Sequence, residues 1–287
     1  MTADRSRRTA KSRLSKALIP SRRGLLLTAG GLAVIGAGAA VARRSGPPLD
    51  LSKFTLVFED TFRTLDVTAR GPGSKWIAHT PWNGDFGDAT FVDPQPGFPF
   101  TATPNGLRIE ARKGADGHWQ SGLLASVDPD GHGFTQAFGY FELRAKLPDA
   151  PGVWPAFWLD SFIPKGVTDP SIEIDVLEYY GKFPDGFQSS VHIWPHDGKA
   201  PSVTTQTLHV PAHSLGEAFH TYGVSVGKDW IIIYLDGIEQ WRTPTPAEHK
   251  HGLMILINLA LGGGWPIDET PSPSVFEVDY VRAYAWK

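Results

Sequence analysis

The 287-residue sequence contains no cysteine, which excludes a disulfide framework and any thiol chemistry. No helical periodicity of convincing length follows residue 50, so strands are left as the main element. There is no His-Glu-x-x-His run. His192 and His196 flank Pro195 in a strand-like setting, which argues against a helical zinc pair. A Gly-x-Ser-x-Gly elbow is also missing, so a serine hydrolase has little support. Gly262-Gly263-Gly264 is followed by neither a lysine nor a helix, so it is no phosphate loop. It reads instead as backbone that approaches a ligand or turns sharply.

The N-terminal segment differs from the rest. Arg5, Arg7, Arg8, Lys11, Arg13 and Lys16 make a basic start, and Ser21-Arg22-Arg23-Gly24 leads into an apolar, Gly/Ala-rich stretch over Leu25–Ala42. This is the layout of an export signal, and its paired arginines resemble a twin-arginine signal. Ala37-Gly38-Ala39 and Ala40-Val41-Ala42 both fit a small-residue cleavage site. The expectation is a periplasmic or extracellular protein with a leader over residues 1–42, a linker over 43–53 and a catalytic domain over 54–287. An uncleaved membrane anchor is the alternative, because the stretch is marginally long enough to span and Arg43-Arg44 follows it. The leader carries eight basic residues and one acid. The remainder therefore holds 19 basic and 29 acidic residues, a formal charge of −10. With no basic patch, a nucleic-acid partner is not expected.

Past residue 50, short runs alternate apolar with polar or small residues. Examples are Leu107–Arg112, Tyr140–Leu147, Thr221–Val226 and Val275–Val281. Asn105-Gly106 and Asp236-Gly237 are tight-turn signals, the second reading as a hairpin between Ile231–Leu235 and Ile238–Trp241. Heavier loops fall at Asp93–Pro104, Asp128–Gly133 and Phe183–Gly186, and a hinge at Arg43–Pro48. Many short strands with frequent turns indicate an all-β sandwich in one domain.

The densest chemistry lies in Glu173-Ile174-Asp175-Val176-Leu177-Glu178. Strand alternation points Glu173 and Asp175 the same way. Strict alternation would send Glu178 to the other face, and a one-residue β-bulge would bring it back. Three like charges on one partly buried face repel and raise one another's pKa, a cost that a fold alone has no reason to accept. Glycosidic chemistry does need it: one ionised carboxylate and one protonated carboxyl flank the bond to be broken.

Ten tryptophans are a high count, and several lie in loops or beside the acids. Sugar rings stack their C–H faces on indole. Trp154 and Trp265, each followed by proline, read as cleft wall; for Trp158, core and cleft are evenly balanced. Trp76, Trp230, Trp241 and Trp286 read as structural.

These residues resemble the family 16 glycoside hydrolases, which include laminarinases and lichenases. The acid run is similar to the bulged, laminarinase-type catalytic motif. Phe58-Glu59-Asp60-Thr61-Phe62 resembles the opening strand, and Phe138–Pro148 and Gly152–Leu159 the strands before the catalytic one. Phe219–Tyr222, Leu235-Asp236-Gly237, Asn258–Gly263 and Val278–Arg282 continue the pattern in order. The resemblance implies a concanavalin A-like β-jelly roll, two curved antiparallel sheets with a cleft on the concave face. It implies a retaining double displacement with Glu173 as nucleophile, Glu178 as acid/base and Asp175 tuning both. His192, Trp154, Trp158, Trp82, Asn83, Trp194, Asn258 and Trp265 are the substrate-binding candidates that follow.

No cofactor is implied for the reaction. Some relatives hold a structural calcium near the first and last strands, which makes Asp279 a candidate ligand. The implied partner is a polysaccharide, the body a monomer, and a membrane contact arises only if the leader is retained. Pro170-Ser171-Ile172 stands where laminarinases usually place Gly or a tryptophan-containing segment, so the glycan stays open among β-1,3-glucan, β-1,3-1,4-glucan and a bacterial exopolysaccharide. A transglycosylase and a catalytically silent carbohydrate-binding jelly roll are the alternatives. The second is disfavoured because both glutamates are present.

Overall fold

The computed structural model describes residues 46–82 and 84–287; the leader assigned to 1–42 and the candidate Asn83 lie outside the described residues. The described chain is built from strands. The first eight are β1 (Phe54–Asp60), β2 (Val67–Thr68), β3 (Trp76–Ile77), β4 (Thr90–Phe91), β5 (Phe100–Thr103), β6 (Gly106–Lys113), β7 (Trp119–Ser121) and β8 (Leu123–Ala125). Then come β9 (Gly139–Lys146), β10 (Val153–Ser161), β11 (Ser171–Glu178), β12 (Gly186–Trp194) and β13 (Ser202–His209). A single helical turn, α1 (Ser214–Glu217), precedes β14 (His220–Val226), β15 (Trp230–Leu235), β16 (Ile238–Pro244), β17 (Leu253–Leu261) and β18 (Ser274–Trp286). No helix among the described residues is long and apolar enough to cross a membrane.

The strands form two sheets. One has the order β13-β12-β11-β10-β17-β8-β3-β2. The other runs β16-β15-β14-β9-β18-β6-β7-β4, with β1 added on β18 and β5 on β6. Pairing is antiparallel except for the short pairs β2–β3 and β4–β7. This is the expected jelly-roll sandwich.

Alternation builds the layer between the sheets. Phe157 and Leu159 of β10, Ile172 and Ile174 of β11, and Ile255, Ile257 and Leu259 of β17 point inward from the first sheet. Phe141 and Leu143 of β9, Val224 of β14, and Phe276 and Val281 of β18 meet them from the second. Truncating one such side chain, for example Ile257→Ala, costs roughly 2–5 kcal/mol. The central strands β10 and β17 are buried along their whole length, on both faces. A second apolar layer therefore covers the far face of the first sheet, with Trp154, Trp158, Leu256 and Ala260 among its members.

The hairpin expected at Asp236-Gly237 is present. Both residues have positive φ, 51° and 73°, as a two-residue turn between β15 and β16 requires. The loop expected over Asp93–Pro104 contains β5, which pairs with β6 through the Asn105-Gly106 turn. Turn-rich composition hid a four-residue edge strand. Residues 46–53, read as linker, are held against the second sheet. Pro48 bridges Ile238, and the Leu49 N–H donates to the Gly237 carbonyl at 2.8 Å. Trp76 is fully buried, as a structural tryptophan should be, whereas Trp230 and Trp286 are each 44% exposed. Those two flank strand ends, where alternation gives no guide to burial.

Candidate active site

Strand β11 carries the acid row and shows how the bulge works. Across β10, Glu173 faces Asp160, Asp175 faces Trp158 and Glu178 faces Ala156. Across β12 the same three face His192, Ser190 and Gln188. Positions 160, 158 and 156 are successive residues on one face of β10, so the three acids are successive on one face of β11. The register slips between Asp175 and Glu178 on both neighbours. Val176 and Leu177 both point into the core, each fully buried. Two consecutive apolar residues on one side are what turn Glu178 to the side of Glu173 and Asp175.

Each acid has named partners. The Trp194 indole N–H donates to Glu173 Oε2 at 3.0 Å. His192 Nε2 lies 3.0 Å from Asp175 Oδ2. Glu178 Oε1 accepts from Trp154 Nε1 and from the Tyr180 hydroxyl, both at 3.2 Å. Glu173 and Asp175 are buried and Glu178 is partly open. Burial works against a charged imidazole at His192, but the hydrogen bond and charge of Asp175, with Glu173 and Glu178 behind it, outweigh this and push its pKa up to about 9. His192 therefore brings a positive charge to a row of acids. Its ring lies parallel to Trp194, centroids 5.3 Å apart, so one tryptophan orients both His192 and Glu173.

One flank of the row is aromatic. Trp158 donates to Asn258 Oδ1 at 2.8 Å, which fixes its plane. Trp82 and Phe86 meet Trp158 edge-on, and Trp154 stacks on Tyr180 at 5.5 Å. Trp154 and Trp158 are thus buried on the same face of the sheet as the acid row. Gly263 explains the glycine triplet: it has φ +63°, and a Cβ there would lie 2.7 Å from Tyr180 and 2.8 Å from Trp154. The triplet lets backbone pass against this aromatic pair. Trp265, expected in the cleft wall, pairs with Phe183 at 4.9 Å on the loops beyond β11. The other flank is polar: Ser190 and Thr205 are hydrogen-bonded at 3.0 Å, with Gln188 opposite Thr207.

Three residues beside the acid row were not assigned to the site in the sequence reading. Tyr180 could have been found, because it stands two residues after Glu178 on the same alternation. Phe86 sits in a Gly/Asp-rich loop with no periodic signal. Asp160 follows an apolar run and was hidden by it.

Among the described residues, Glu173, Asp175 and His192 form the one grouping whose donor atoms fall within 4.8 Å of each other. Calcium takes oxygen donors, and one of the three donors here is an imidazole nitrogen, so the trio does not suit that ion. Asp279 does not fit a calcium ion either. Its carboxylate lies 2.6 Å from Arg144 and 3.7 Å from Arg63, and two guanidinium groups already balance it.

Residues 101–282 match the family described as Glycosyl hydrolases family 16. The endo-1,3-1,4-beta-glycanase EglC of Rhizobium meliloti is 32% identical over 262 residues, covering 83% of this chain and 53% of its own length. The kappa-carrageenase of Pseudoalteromonas carrageenovora is 31% identical over 183 residues, covering 52% of this chain and 44% of that protein. The chain spans about half the length of the first curated relatives it matches. Among solved structures, SCLam, a non-specific endo-beta-1,3(4)-glucanase, superposes with a TM-score of 0.65 at 24% identity, over 85% of this chain and 96% of that one. At that identity the likeness speaks for the shared two-sheet fold.

Proposed function

The chain belongs to glycosyl hydrolase family 16, and on that premise we propose that its cleft hydrolyses an internal β-glycosidic bond with retention of configuration. The observation that carries this reading is the row Glu173, Asp175, Glu178, brought to one face by the Val176-Leu177 bulge and flanked by tryptophans. Glu173 attacks the anomeric carbon as the bond to the leaving oxygen breaks, and Glu178 gives that oxygen its proton. A glycosyl ester on Glu173 results. Water then attacks the same carbon, Glu178 takes the water's proton, and the Glu173 carboxylate is released. Trp194 holds the nucleophile, while Trp154 and Tyr180 hold the acid/base. The His192 imidazolium offsets part of the negative charge through Asp175. Trp82, Trp154 and Trp158 offer flat surface to sugar rings, and no cofactor enters any step.

A mixed-linkage or β-1,3-glucan is the preferred substrate, supported by what EglC and SCLam are named for. A neutral glycan also suits the acidic body. The leader makes export the preferred route, to the periplasm or the exterior, with a monomeric body. The test is incubation of the full chain with laminarin, lichenan, carrageenan and a bacterial exopolysaccharide, with product anomers followed by NMR. Release of oligosaccharides of β configuration from the glucans is expected. A folded protein that cleaves none of the panel would overturn the reading. Transfer to an added acceptor sugar in preference to water would make it a transglycosylase.

A further inference from the structure

Two rings hold Glu178, and the loop after β17 lies against both rings. Trp154 Nε1 and the Tyr180 hydroxyl donate to Glu178 Oε1, each at 3.2 Å. The rings stack on one another, 5.5 Å apart and 20° from parallel. A Cβ built on Gly263 would stand 2.7 Å from Tyr180 Cε1, and 2.8 and 2.9 Å from Trp154 Cε3 and Cδ2. Carbon atoms rest about 3.5–4.0 Å apart, so a single methyl group at this position would have to move the pair by roughly 0.7 Å. The loop is pinned close by. The Gly262 N–H donates to the Gly152 carbonyl at 2.8 Å, two residues before Trp154. Gly181, the residue after Tyr180, donates to the Val153 carbonyl at 3.0 Å. Leu261 and Ala260 pair with Val153 and Trp154 across β17 and β10. The backbones that carry Trp154, Tyr180 and Gly263 are therefore tied to one another within two residues of each. Trp154 also meets Phe86 edge-on at 5.7 Å. A push from position 263 falls on the rings rather than on the loop. Hydrogen bonds that start at 3.2 Å do not survive a displacement of that size.

We infer that Gly263 is a positioning residue for the acid/base: its α-carbon is the stop against which Trp154 and Tyr180 are stacked, and it keeps both donors on the Glu178 carboxyl. This rests on the role of Glu178 proposed above. Glu178 gives a proton to the leaving oxygen and later takes one from water, so its carboxyl must hold one place through both steps. A misplacement of about 1 Å can cost about 10²-fold in rate. Only glycine leaves room for the two rings at that stop.

The next glycine supplies the control. Gly264 also has positive φ, +98°, but a Cβ there would meet nothing within 4 Å among the described residues. Gly263→Ala therefore adds backbone strain and the contact, whereas Gly264→Ala adds strain alone. Indole N–H signals of the full chain are followed by NMR, with Trp154 assigned by its loss in Trp154→Phe. The Trp154 signal should move upfield in Gly263→Ala, as its hydrogen bond is lost, and stay in place in Gly264→Ala. Catalysis is read as kcat/KM on laminarin, whose leaving oxygen needs a proton, and on an activated aryl glycoside, whose leaving group does not. Gly263→Ala should lose about tenfold on laminarin and less than about twofold on the aryl glycoside. Gly264→Ala should lose less than about twofold on both. In the wild type, NOEs should join the Gly263 Hα protons to both rings, a reading that stands even where Gly263→Ala does not fold. Missing NOEs, or an unmoved indole signal in a folded Gly263→Ala protein, would overturn the proposal. So would equal losses in the two glycine variants, or equal losses on the two substrates. The NMR readings need no substrate. A protein inactive on every glycan would therefore sink the reading of Glu178 while the contact of Gly263 with the rings was still decided.

Discussion

Glu173 and Glu142 are both buried glutamates, each on the outer face of its sheet, and their surroundings are opposite. Around Glu142 the partners are hydroxyls. Tyr140 donates to Oε2 at 3.1 Å, Tyr284 to Oε1 at 3.0 Å, and the Arg282 guanidinium lies 3.9 Å away. Around Glu173 the neighbours are Asp160, Asp175 and His192, and the Trp194 indole N–H donates to Oε2. At Glu142 both oxygens accept from tyrosine hydroxyls and a counter-charge stands by. The Glu173 group is crowded with like groups and open at Glu178. Burial alone therefore does not mark a site, since both glutamates have it. Crowding of carboxyls next to an open, aromatic-lined face does.

The largest effect that tests this contrast belongs to Glu173→Ala. Turnover of a glucan should fall by at least about 10⁴-fold, because the attacking group is gone. Folding should be kept, and thermal stability should stay level or rise as charge repulsion is relieved. A glycosyl fluoride of the opposite anomeric configuration should restore reaction in the vacated space. Near-normal hydrolysis by this variant would remove Glu173 from the role of nucleophile.

Next in size is Glu178→Gln. A loss of roughly 10²–10⁴-fold is expected on a glucan, whose leaving group needs a proton. An activated aryl glycoside should still react and accumulate the covalent intermediate, visible by mass spectrometry of the intact protein. An unchanged basic limb on the glucan would exclude Glu178 as the acid/base.

Much of this contrast was legible in the sequence. The acid row could be read because polar residues interrupt an apolar strand, and the bulge because alternation failed for one residue. The sandwich followed from short alternating runs. What could not be read depends on pairing between distant strands. Asp160 becomes notable only once β10 lies against β11 in that register. Glu142 looked like an ordinary outward residue of an alternating strand until Tyr284, far along the chain, came to cover it. Loop paths follow from tertiary contacts, so the packing of Trp265, expected in the cleft wall, against Phe183 could not be read either. Calcium at Asp279 was implied by resemblance, and two arginines that pattern alone could not bring together oppose it.

A smaller effect is expected at His192. Its pKa is raised from an ordinary 6.5 to about 9, so its pairing stabilises the fold fully below about pH 6.5 and is lost as pH rises through 9. The contribution is about 3 kcal/mol at most. The wild-type melting temperature should therefore fall between pH 6.5 and 9, and His192→Gln should flatten that fall. An equal slope in both proteins would mean that His192 does not carry the charge. Smaller again is Tyr180→Phe. It removes a donor that favours ionised Glu178, so the basic limb should move up by a fraction of a pH unit with a several-fold change in rate at most.

The smallest effect completes the comparison. Glu142→Gln keeps the shape of the side chain, and activity on a glucan should be unchanged, since the two glutamates stand on opposite outer faces of the sandwich. Stability should change by about 1 kcal/mol, and its sign should depend on pH. Burial raises the pKa of Glu142, although the hydrogen bonds from Tyr284 and Tyr140 oppose the rise. A carboxyl whose folded pKa is raised favours the fold below its unfolded value, near 4.5, and loses that advantage as pH rises through the folded one. Glutamine does not titrate. Melting temperatures of the two proteins should therefore converge or cross as pH rises above about 4.5, with the variant gaining on the wild type towards neutrality. A drift in the other direction would mean that the tyrosines and Arg282 hold Glu142 ionised more firmly than burial disfavours it. Loss of activity in a folded Glu142→Gln protein would break the contrast itself, by tying Glu142 to the acid row.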